Sequence, residues 1–445
     1  MRRISVQDTR SGSTLDLQPR DGKVGIYACG PTVYNAIHVG NARPYVVFSL
    51  LSRFLRHEGL EVTFVANITD INDKIYAAAR ELGVGSEDLA AEMTARYRAD
   101  TDALGLGRPD HEPLASEVLP EIIALIEDLI EGGHAYEAGG DVYFRVRSHE
   151  SYGELSHRVV DDMDQGEGVE GADLKEDPLD FALWKAKKED EDASWASPWG
   201  AGRPGWHIEC SAMAEKFLGV EFDIHGGGSD LICPHHENEE AQTAAARGRP
   251  LAKAWMHNGM IQLGDKMSKS LGNIVGLTEA IESVGRDTLI MYFVGGHYRQ
   301  PIAYGEDVLA QAAARVERFR DAGRALVPGE SPEDMAGHRD AFFDALANDF
   351  NTPEALRHAH EWVNEANRRT GVGDSHLREM LGVLGLDNLL DADEAPEELM
   401  ELARRRDTAR AERDFETADK LRDEIRAAGW EVRDGPEGPE LVPAA

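Results

Sequence analysis

The sequence contains only three cysteines and has no long apolar run. Three cysteines are too few for a disulfide scaffold, and they fit a protein that works in a reducing cytoplasm. No segment reaches the roughly 18 apolar residues of a membrane span, and the opening MRRISVQDTRSG lacks the apolar core of a secretory signal. We therefore expect a cytoplasmic protein without a membrane partner.

Basic residues are also scarce, and arginine greatly outnumbers lysine. The chain has 82 Asp plus Glu against 47 Lys plus Arg, a formal net charge of −35 and a pI of about 4.8. So acidic a surface repels nucleic acid at low salt, and composition alone favours an acidic cytosolic enzyme of a small substrate. A more specific interpretation of this charge is that the protein comes from a halophile. At 1 M salt the Debye length shortens to about 3 Å, so surface charges are screened. Any nucleic-acid binding would then rest on shape, stacking and hydrogen bonds.

Strand and helix patterns near the N-terminus predict a doubly wound parallel sheet. Lys23–Ala28 and Glu61–Ile68 have the composition of strands, and Gly40–Leu55 has apolar residues at helical spacing. In such a sheet, ligands bind at the carboxyl ends of the strands. The 445 residues are enough for two to four domains.

Three potential metal ligands lie in the stretch from 205 to 239. Cys210 offers a thiol, and His235 and Glu239 are four residues apart, which places them on one face of a helix. Sulfur, nitrogen and oxygen donors of these types form tetrahedral zinc sites. Cys29, far upstream, is the candidate for the fourth ligand.

Spacing alone leaves this assignment open. His236 and Glu240 have the same four-residue separation as the first pair. Cys233 is interpreted as a small buried hydrophobic residue, and a ligand role is its alternative. Cys210 itself has a buried core thiol as its alternative.

Two segments have the composition of phosphate-binding loops. His38-Val39-Gly40-Asn41 lies between a strand and a helix, where backbone N–H groups and the helix dipole favour phosphate. Alone this is weak evidence, because a single loop histidine is more often a surface residue. The stretch from 264 to 273 is stronger: it carries Lys266 and Lys269 between glycines, and two ammonium groups can stabilise the charge of a triphosphate.

HVGN followed by KMSKS on a doubly wound sheet resembles the class I aminoacyl-tRNA synthetases. Other motifs narrow the resemblance to the cysteinyl-tRNA synthetase family, and it extends from about residue 17 to residue 438. These motifs are CGPTVY at 29–34, NITD at 67–70, DPLDFALWK at 177–185, the block 205–239, HYR at 297–299 and DFNTPEA at 349–355. The resemblance implies ATP-dependent activation of L-cysteine to cysteinyl-adenylate and its transfer to the 3′ end of tRNA(Cys).

The resemblance also implies roles for individual residues. One zinc ion per subunit would be held by Cys29, Cys210, His235 and Glu239. It would bind the substrate sulfur as thiolate and so discriminate cysteine from serine. Shape alone gives a discrimination of only ~1–3 kcal/mol between such similar substrates. The catalytic residues, acting with Mg²⁺ on the ATP phosphates, are His38, Asn41, Lys266 and Lys269. The nucleotide contacts are Gly40, Gly228, Asp230 and Lys269. The pocket for the cysteine side chain is lined by Thr32, Thr69 and Trp206.

One departure from the family pattern falls on Asn41, where the motif usually ends in histidine. An asparagine amide can donate a hydrogen bond to phosphate, but it carries neither proton nor charge. Catalysis by electrostatic positioning should survive this change, whereas a charged group at position 41 is excluded.

Changes in composition along the chain predict its domains. The fold class is α/β: a Rossmann-type catalytic domain with a connective insertion, then an all-α helical bundle and a small mixed C-terminal region. The expected segments are 1–116 and 204–250 for the two catalytic halves, 117–203 for the insertion, 251–307 for the KMSKS loop and stem contact, 308–390 for a tRNA-binding bundle, and 391–445 for anticodon binding. A monomer is expected.

An arginine cluster in the last segment is the candidate tRNA contact, and its members are Arg404, Arg405, Arg406, Arg410 and Arg413. The alternative is an exposed helix whose arginines pair with neighbouring acids. Two other functions compete with the main one. One is a paralogue that joins cysteine to an amino-sugar, as in mycothiol biosynthesis, and the other is a non-catalytic zinc-containing RNA-binding module.

Overall fold

The computed structural model describes residues 2–163, 173–263, 275–391, 395–435 and 438–443. The predicted loop at 264–273, with Lys266 and Lys269, therefore lies outside the described residues. The chain forms two compact units, Met1–Asp387 and Asn388–Ala445. Among the described residues, no helix is both long and apolar enough to cross a bilayer.

The strands and helices alternate through most of the first unit. The strands are β1 (Ser5–Gln7), β2 (Thr14–Asp16), β3 (Lys23–Ala28), β4 (Glu61–Ala66), β5 (Ala135–Ala138), β6 (Asp141–Phe144), β7 (Phe181–Ala186), β8 (Trp195–Ser197), β9 (Gly200–Pro204), β10 (Phe222–Gly228), β11 (Ala252–Asn258), β12 (Ile261–Leu263), β13 (Ile302–Tyr304), β14 (Trp430–Gly435) and β15 (Gly438–Pro443). The helices are α1 (Val39–His57), α2 (Asp73–Leu82), α3 (Ser86–Asp102), α4 (Leu119–Glu131), α5 (Trp206–Leu218), α6 (Glu237–Arg247), α7 (Leu277–Val284), α8 (Arg286–Val294), α9 (Glu306–Ala325), α10 (Ala336–Ala347), α11 (Thr352–Ala366), α12 (Ser375–Val383), α13 (Glu397–Ala411) and α14 (Phe415–Ala427).

A four-stranded parallel sheet with the order β11-β10-β3-β4 forms the centre of the first unit. Ile26 and Tyr27 follow each other in β3 and are both fully buried. Because successive strand residues point to opposite faces, both faces of the sheet are covered, as parallel sheets require. Helices α1 and α5 both pack on it. The predicted doubly wound parallel sheet is confirmed.

An antiparallel sheet with the order β5-β6-β7-β9-β8 lies between β4 and β10 in the chain. It occupies the stretch where composition predicted an insertion, and α4 precedes it. Its strand β9 leads directly into Gly205 and α5, the helix that carries Cys210. The sheet therefore sets the start of one of the site-bearing helices.

A buried arginine joins this antiparallel sheet to α2. The Arg203 side chain is only 2% exposed and pairs with Asp73 and with Glu191, the latter at 2.9 Å between Nη1 and Oε1. Lys185 Nζ lies 2.7 Å from the Asp73 carboxylate. Burial alone would raise the pKa of Asp73, but Lys185 and Arg203 outweigh it and lower that pKa to about 2. The junction thus depends on an ionised aspartate.

Acid should weaken this junction. An unfolded Asp has a pKa of about 3.9, so the stability that Asp73 contributes is complete above that pH and is lost as the pH falls through about 2. We expect Asp73→Asn to lower the urea unfolding midpoint at pH 7 and to approach that of the parent protein as the pH falls to about 2. The control is Glu81→Gln, on the exposed side of the same helix. A difference between Asp73→Asn and the parent that is as large at pH 2 as at pH 7 would contradict this role.

The chain is helical beyond residue 306, as the sequence predicts, and the next strand among the described residues is β14. Helices α10 and α11 pack on each other, and α12 packs on α10. In the second unit, α13 and α14 pack on the antiparallel hairpin β14-β15. Its core contains Ala403, Ile425 and Leu441.

Several arginines of the second unit have acidic partners. Arg404 pairs with Glu397 at 2.8 Å, and Arg406 lies 3.4 Å from Asp407. Arg413 lies beyond the last residue of α13. Paired arginines of this kind fit an exposed, ion-paired helix as well as a nucleic-acid contact, so the predicted tRNA contact stays a prediction.

Candidate active site and metal centre

The residues that the sequence singles out lie at the carboxyl ends of the parallel strands. Cys29 follows β3, Thr69 follows β4 by three residues, and Gly228 is the last residue of β10. Strand β3 has β4 on one side and β10 on the other. In open α/β sheets, the crevice where neighbouring connections run in opposite directions is the usual ligand site.

Four buried donor groups from three parts of the chain meet beside this crevice. Their ligand atoms all lie within 4.8 Å of one another, and they belong to Cys29, Cys210, His235 and Glu239. The Cys29 Sγ is 3.6 Å from His235 Nε2 and 3.4 Å from Glu239 Oε1. Donors bound tetrahedrally at zinc bond lengths of about 2.0–2.3 Å are about 3.3–3.7 Å apart. The sulfur distances match that spacing, and the imidazole and carboxylate are closer, at 2.8 Å, because they are hydrogen-bonded.

Each donor is held by a regular element. Cys29 donates its backbone N–H to the carbonyl of Gly226 at 3.0 Å, which fixes it at the end of the sheet. Cys210 lies in the middle of α5, and Glu239 lies in the first turn of α6. His235 lies in the π-helical turn Ile232–His236 that precedes α6, one helical turn from Glu239.

The charges of this group are arranged for a cation. The hydrogen bond from Cys29 lowers the pKa of the Cys210 thiol to about 6, whereas burial raises the pKa of Cys29 well above its ordinary value. Burial would raise the pKa of Glu239, but His225 and His235 outweigh it and hold that pKa well below its usual range. These shifts favour a carboxylate at Glu239 and a thiolate at Cys210. A divalent cation here would displace protons from the remaining thiol and imidazole.

A second layer of side chains orients the donors. His225 Nε2 donates to Glu239 Oε2 at 2.6 Å, and His235 Nδ1 is hydrogen-bonded to His207 Nδ1 at 2.8 Å. The ring of Trp206 stacks on His235 with centroids 4.2 Å apart. Hydrogen bonds to the far side of a ligand fix its orientation and tautomer in metal sites. The sequence reasoning missed His207, although its spacing of three from Cys210 on one helix is a usable signal.

The geometry separates Glu239 from Glu240. Glu240 accepts from the backbone N–H of Leu251 at 3.0 Å and pairs with Arg10 at 2.5 Å, and it belongs to neither donor group among the described residues. His236 is hydrogen-bonded to His257 at 2.7 Å. His236 and Glu240, the alternative pair that spacing allowed, therefore do not bind a metal ion together.

A second possible donor group shares two members with the first. It consists of Cys29, His225, His236 and Glu239. Because Cys29 and Glu239 belong to both groups, one ion at a time can occupy them. Only the first group contains two thiols, which zinc prefers. Among the described residues, neither group includes Cys233, which is half-buried.

The HVGN segment caps α1. His38 is the N-cap, and its Nδ1 accepts from the backbone N–H of Asn41 at 3.3 Å. The Asn41 Oδ1 in turn accepts from the His38 backbone N–H at 3.3 Å. This reciprocal arrangement is a capping box. It engages the Asn41 carbonyl, so any donation to phosphate would come from the amide nitrogen.

The turn after β3 is held against the turn after β4. Thr69 donates its backbone N–H to Pro31 at 3.1 Å, and Asn67 accepts from the Gly30 N–H at 2.9 Å. Thr69 is buried, and its hydroxyl accepts from the Asn67 amide at 3.2 Å. Thr32 bridges to Thr69. Asn67, which the sequence reasoning named only as part of a motif, is the buried link between the two turns.

Gly228 is the last residue of β10, and Asp230 lies two residues beyond it. A Cβ at Gly228 would lie 2.3 Å from the Asp230 carboxylate, and one at Gly226 would overlap the ring of Phe48 in α1. Glycine is thus required where α1 approaches the sheet. Asp230 is exposed, so its carboxylate is accessible from solvent.

Comparisons with known proteins identify the family. Residues 17–314 match the family described as tRNA synthetases class I (C) catalytic domain, and residues 341–388 match the DALR domain. The cysteine–tRNA ligase of Brevibacillus brevis is 44% identical over 442 residues, with 94% of each chain covered. That of Chromohalobacter salexigens is 45% identical over 440 residues, with 95% of each chain covered. The chain belongs to the cysteine–tRNA ligase family.

Solved structures of other class I synthetases share the fold. A Mycobacterium tuberculosis methionyl-tRNA synthetase in complex with methionyl-adenylate has a TM-score of 0.61 at 16% identity, covering 83% of this chain and 90% of that one. A leucyl-tRNA synthetase from Agrobacterium radiobacter, in a ternary complex, has a TM-score of 0.60 at 12% identity, covering 84% and 85%. At these identities the likeness concerns the fold alone.

The cysteine–tRNA ligase motifs come together in part within the described residues. The four predicted zinc ligands and Trp206 form one cluster. Thr32 and Thr69 lie at the adjoining strand ends, as do Gly228 and Asp230, whereas His38, Gly40 and Asn41 begin α1. Lys266 and Lys269 lie outside the described residues, so their predicted role is unchanged.

Proposed function

We propose that the protein activates L-cysteine with ATP and transfers the cysteinyl group to the 3′ end of tRNA(Cys), using a zinc ion to select the substrate thiol. The observation that carries this proposal is the buried donor group at the carboxyl end of the parallel sheet. It occurs in a chain that belongs to the cysteine–tRNA ligase family along nearly its whole length.

The donor group fits zinc by chemistry and by spacing. Cys29, Cys210, His235 and Glu239 would hold the ion. When bound, zinc supplies a bond to the substrate sulfur as thiolate, which the hydroxyl of serine cannot match. His225 holds the Glu239 carboxylate, and Trp206 packs against the His235 ring. These contacts keep the donors aligned.

Adenylate formation requires positioning rather than a general base. A carboxylate oxygen of cysteine attacks the α-phosphorus of ATP, a P–O bond forms, and the bond to the leaving pyrophosphate breaks. The dipole at the start of α1 and the ring of His38 are proposed to stabilise the departing charge. Lys266, Lys269 and the Asn41 amide are proposed to add donors, with Mg²⁺ accompanying the ATP. A ribose hydroxyl of the terminal adenosine then attacks the adenylate carbonyl, and AMP leaves.

The helical segment 308–390 and the C-terminal segment 391–445 are proposed to bind the tRNA, with the protein acting as a monomer. The presence of both segments supports tRNA over an amino-sugar as acceptor. Aminoacylation of tRNA(Cys) transcripts with radiolabelled cysteine tests the function. Cysteine-dependent pyrophosphate exchange without charging would favour the amino-sugar reaction. The absence of both would favour a non-catalytic RNA-binding module.

The adjacent glutamates give a matched test of the metal ligands. We expect Glu239→Gln to lose most of the bound zinc, because it removes a buried carboxylate that lies 3.4 Å from the Cys29 sulfur. Glu240→Gln should keep about one zinc per chain, since Glu240 is engaged by Arg10 and Leu251. Zinc per chain is measured by atomic emission after dialysis. Equal zinc contents in the two variants would contradict the assignment.

The acidic surface predicts a salt optimum. With a net charge of −35, the protein should charge tRNA poorly at low salt and keep its activity at about 1 M KCl, where the Debye length is about 3 Å. Aminoacylation rates across a KCl series measure this. A steady loss of activity from low to high salt would contradict a halophilic source.

A further inference from the structure

Arg43 is a fully buried cation near the start of α1. Its Nη1 donates to the carbonyls of Gly259 and, at 3.5 Å, of Met260. Its Nη2 donates to the carbonyls of His297 and Gln300, at 3.3 and 2.8 Å. Among the described residues it has no carboxylate partner. A charge buried among carbonyls alone is expensive, because no opposite charge offsets its desolvation.

The four carbonyls belong to two segments that Arg43 holds together. Gly259 and Met260 lie between β11 and β12, and His297 and Gln300 precede β13, the strand that pairs with β12. The approach is close: a Cβ at Gly259 would lie 2.4 Å from the Gln300 backbone. Substitution of this glycine would force the segments apart, so the contact depends on both the guanidinium and the missing side chain.

The same end of α1 also holds the chain beyond β12. The backbone N–H of Val39 donates to Val275 at 3.2 Å, and Leu277 donates to Ile37 at 3.0 Å. Arg43 is bonded to residues just before position 264, and the HVGN segment to residues just after position 274. The start of α1 thus anchors the polypeptide on both sides of the stretch whose sequence carries Lys266 and Lys269.

We propose that Arg43 is a positioning residue for adenylate formation. By binding the carbonyls of Gly259 and Met260, it would hold this segment at a fixed distance from His38. The proposal rests on the proposed function. Arg43 does not touch substrate; it acts through the backbone of two segments. Burial lowers the pKa of Arg43 to about 10, so it remains charged at neutral pH. A displacement of about 1 Å in a catalytic arrangement can cost about 10²-fold in rate.

Arg53 provides a matched control on the same helix. It is also an arginine whose pKa is lowered by burial, and it donates to the carbonyl of Gly382 at 2.5 Å. That contact ties α1 to α12 and its following turn, away from Gly259. Arg53 is partly buried, so Arg53→Met should reproduce the loss of an arginine bound to a backbone carbonyl without moving the segments that Arg43 holds.

The experiment compares Arg43→Met, Arg43→Lys and Arg53→Met in cysteine-dependent ATP–pyrophosphate exchange. We expect Arg43→Met to lower kcat about 10²-fold, with KM for cysteine and the zinc content unchanged. Arg43→Lys keeps the charge but not the fork of donors, so its kcat should lie between those of the parent and the methionine variant. Arg53→Met should lower the melting temperature while leaving kcat close to that of the parent.

A kcat for Arg43→Met no lower than that of Arg53→Met would overturn the proposal, as would a loss confined to KM for cysteine. If Arg43→Met does not fold, a parental kcat in Arg43→Lys overturns it, and a reduced kcat with a parental melting temperature supports it. A parent protein without cysteine-dependent exchange contradicts the proposed function itself. An active parent with an unaffected Arg43 series contradicts only the role of Arg43.

Discussion

Cys210→Ala is expected to lose its zinc and its ability to activate cysteine together. Cys210 is buried in α5, and the hydrogen bond from Cys29 lowers the pKa of its thiol, which favours the thiolate form. Its removal leaves three ligands and takes away the negative charge that offsets the cation. We expect kcat/KM for cysteine in pyrophosphate exchange to fall by more than about 10²-fold, the upper end of what is seen for residues that only orient a ligand.

Cys233→Ala is the matched control, because Cys233 is the other cysteine of the same block and belongs to neither donor group among the described residues. It should keep one zinc per chain and parental activity. Zinc content and exchange rates are measured on the same preparations. If Cys210→Ala retained zinc and normal activity, the ligand assignment would be wrong; if Cys233→Ala lost zinc, a different donor set would be required.

The second large effect is expected at His38. Removing the imidazole in His38→Ala should lower kcat for pyrophosphate exchange by about 10²–10³-fold, which is typical of losing one preorganised donor to developing charge. Zinc binding should be unchanged, because His38 does not belong to the donor group. The melting temperature should also fall, since loss of an N-cap costs about 0.5–2 kcal/mol.

His38→Asn separates these two effects. Asparagine is a good N-cap, so this variant should regain much of the stability lost in His38→Ala while its kcat stays low. His57→Ala, at the other end of α1, should leave kcat near that of the parent; His57 there stacks on Phe343 and pairs with Glu379. Full recovery of kcat in His38→Asn would mean that His38 acts only as a cap.

Much of the fold follows from local patterns. The strand predicted at Lys23–Ala28 has those bounds in the structure, the helix predicted from Gly40 begins one residue earlier, and the strand predicted to reach Ile68 ends at Ala66. The last difference has a local cause: Asn67 and Thr69 use their polar groups to hold the neighbouring turn. Strand β4 therefore ends before the apolar run does, because the polar groups of the residues that follow Ala66 bind the neighbouring turn.

The choice of Glu239 over Glu240 could not be derived from spacing. Both glutamates have a histidine four residues before them, and both are buried. The difference arises from partners distant in sequence: Arg10 and Leu251 engage Glu240, whereas the thiols of Cys29 and Cys210 face Glu239. Such long-range contacts have no signature in a local pattern. The resemblance to the family did select Glu239.

Arg43 was overlooked for a related reason. A single arginine near the start of an amphipathic helix is normally exposed, and nothing in its neighbourhood in the sequence indicates burial. Its partners are backbone carbonyls more than 200 residues away. The role of Asn41 was also incomplete in the sequence analysis. Its amide was interpreted as a donor to phosphate, whereas its oxygen is engaged in the capping box of α1.

Selection of cysteine against serine tests the central claim most directly. We would measure kcat/KM for both amino acids in ATP–pyrophosphate exchange, with zinc-loaded protein and with protein depleted by chelation. Shape and apolar contact alone discriminate such pairs by about 10–200-fold. We predict a ratio well above that range for the zinc-loaded protein and the loss of cysteine activation after depletion. A ratio within that range, or one unchanged by depletion, would contradict selection of the substrate thiolate by zinc.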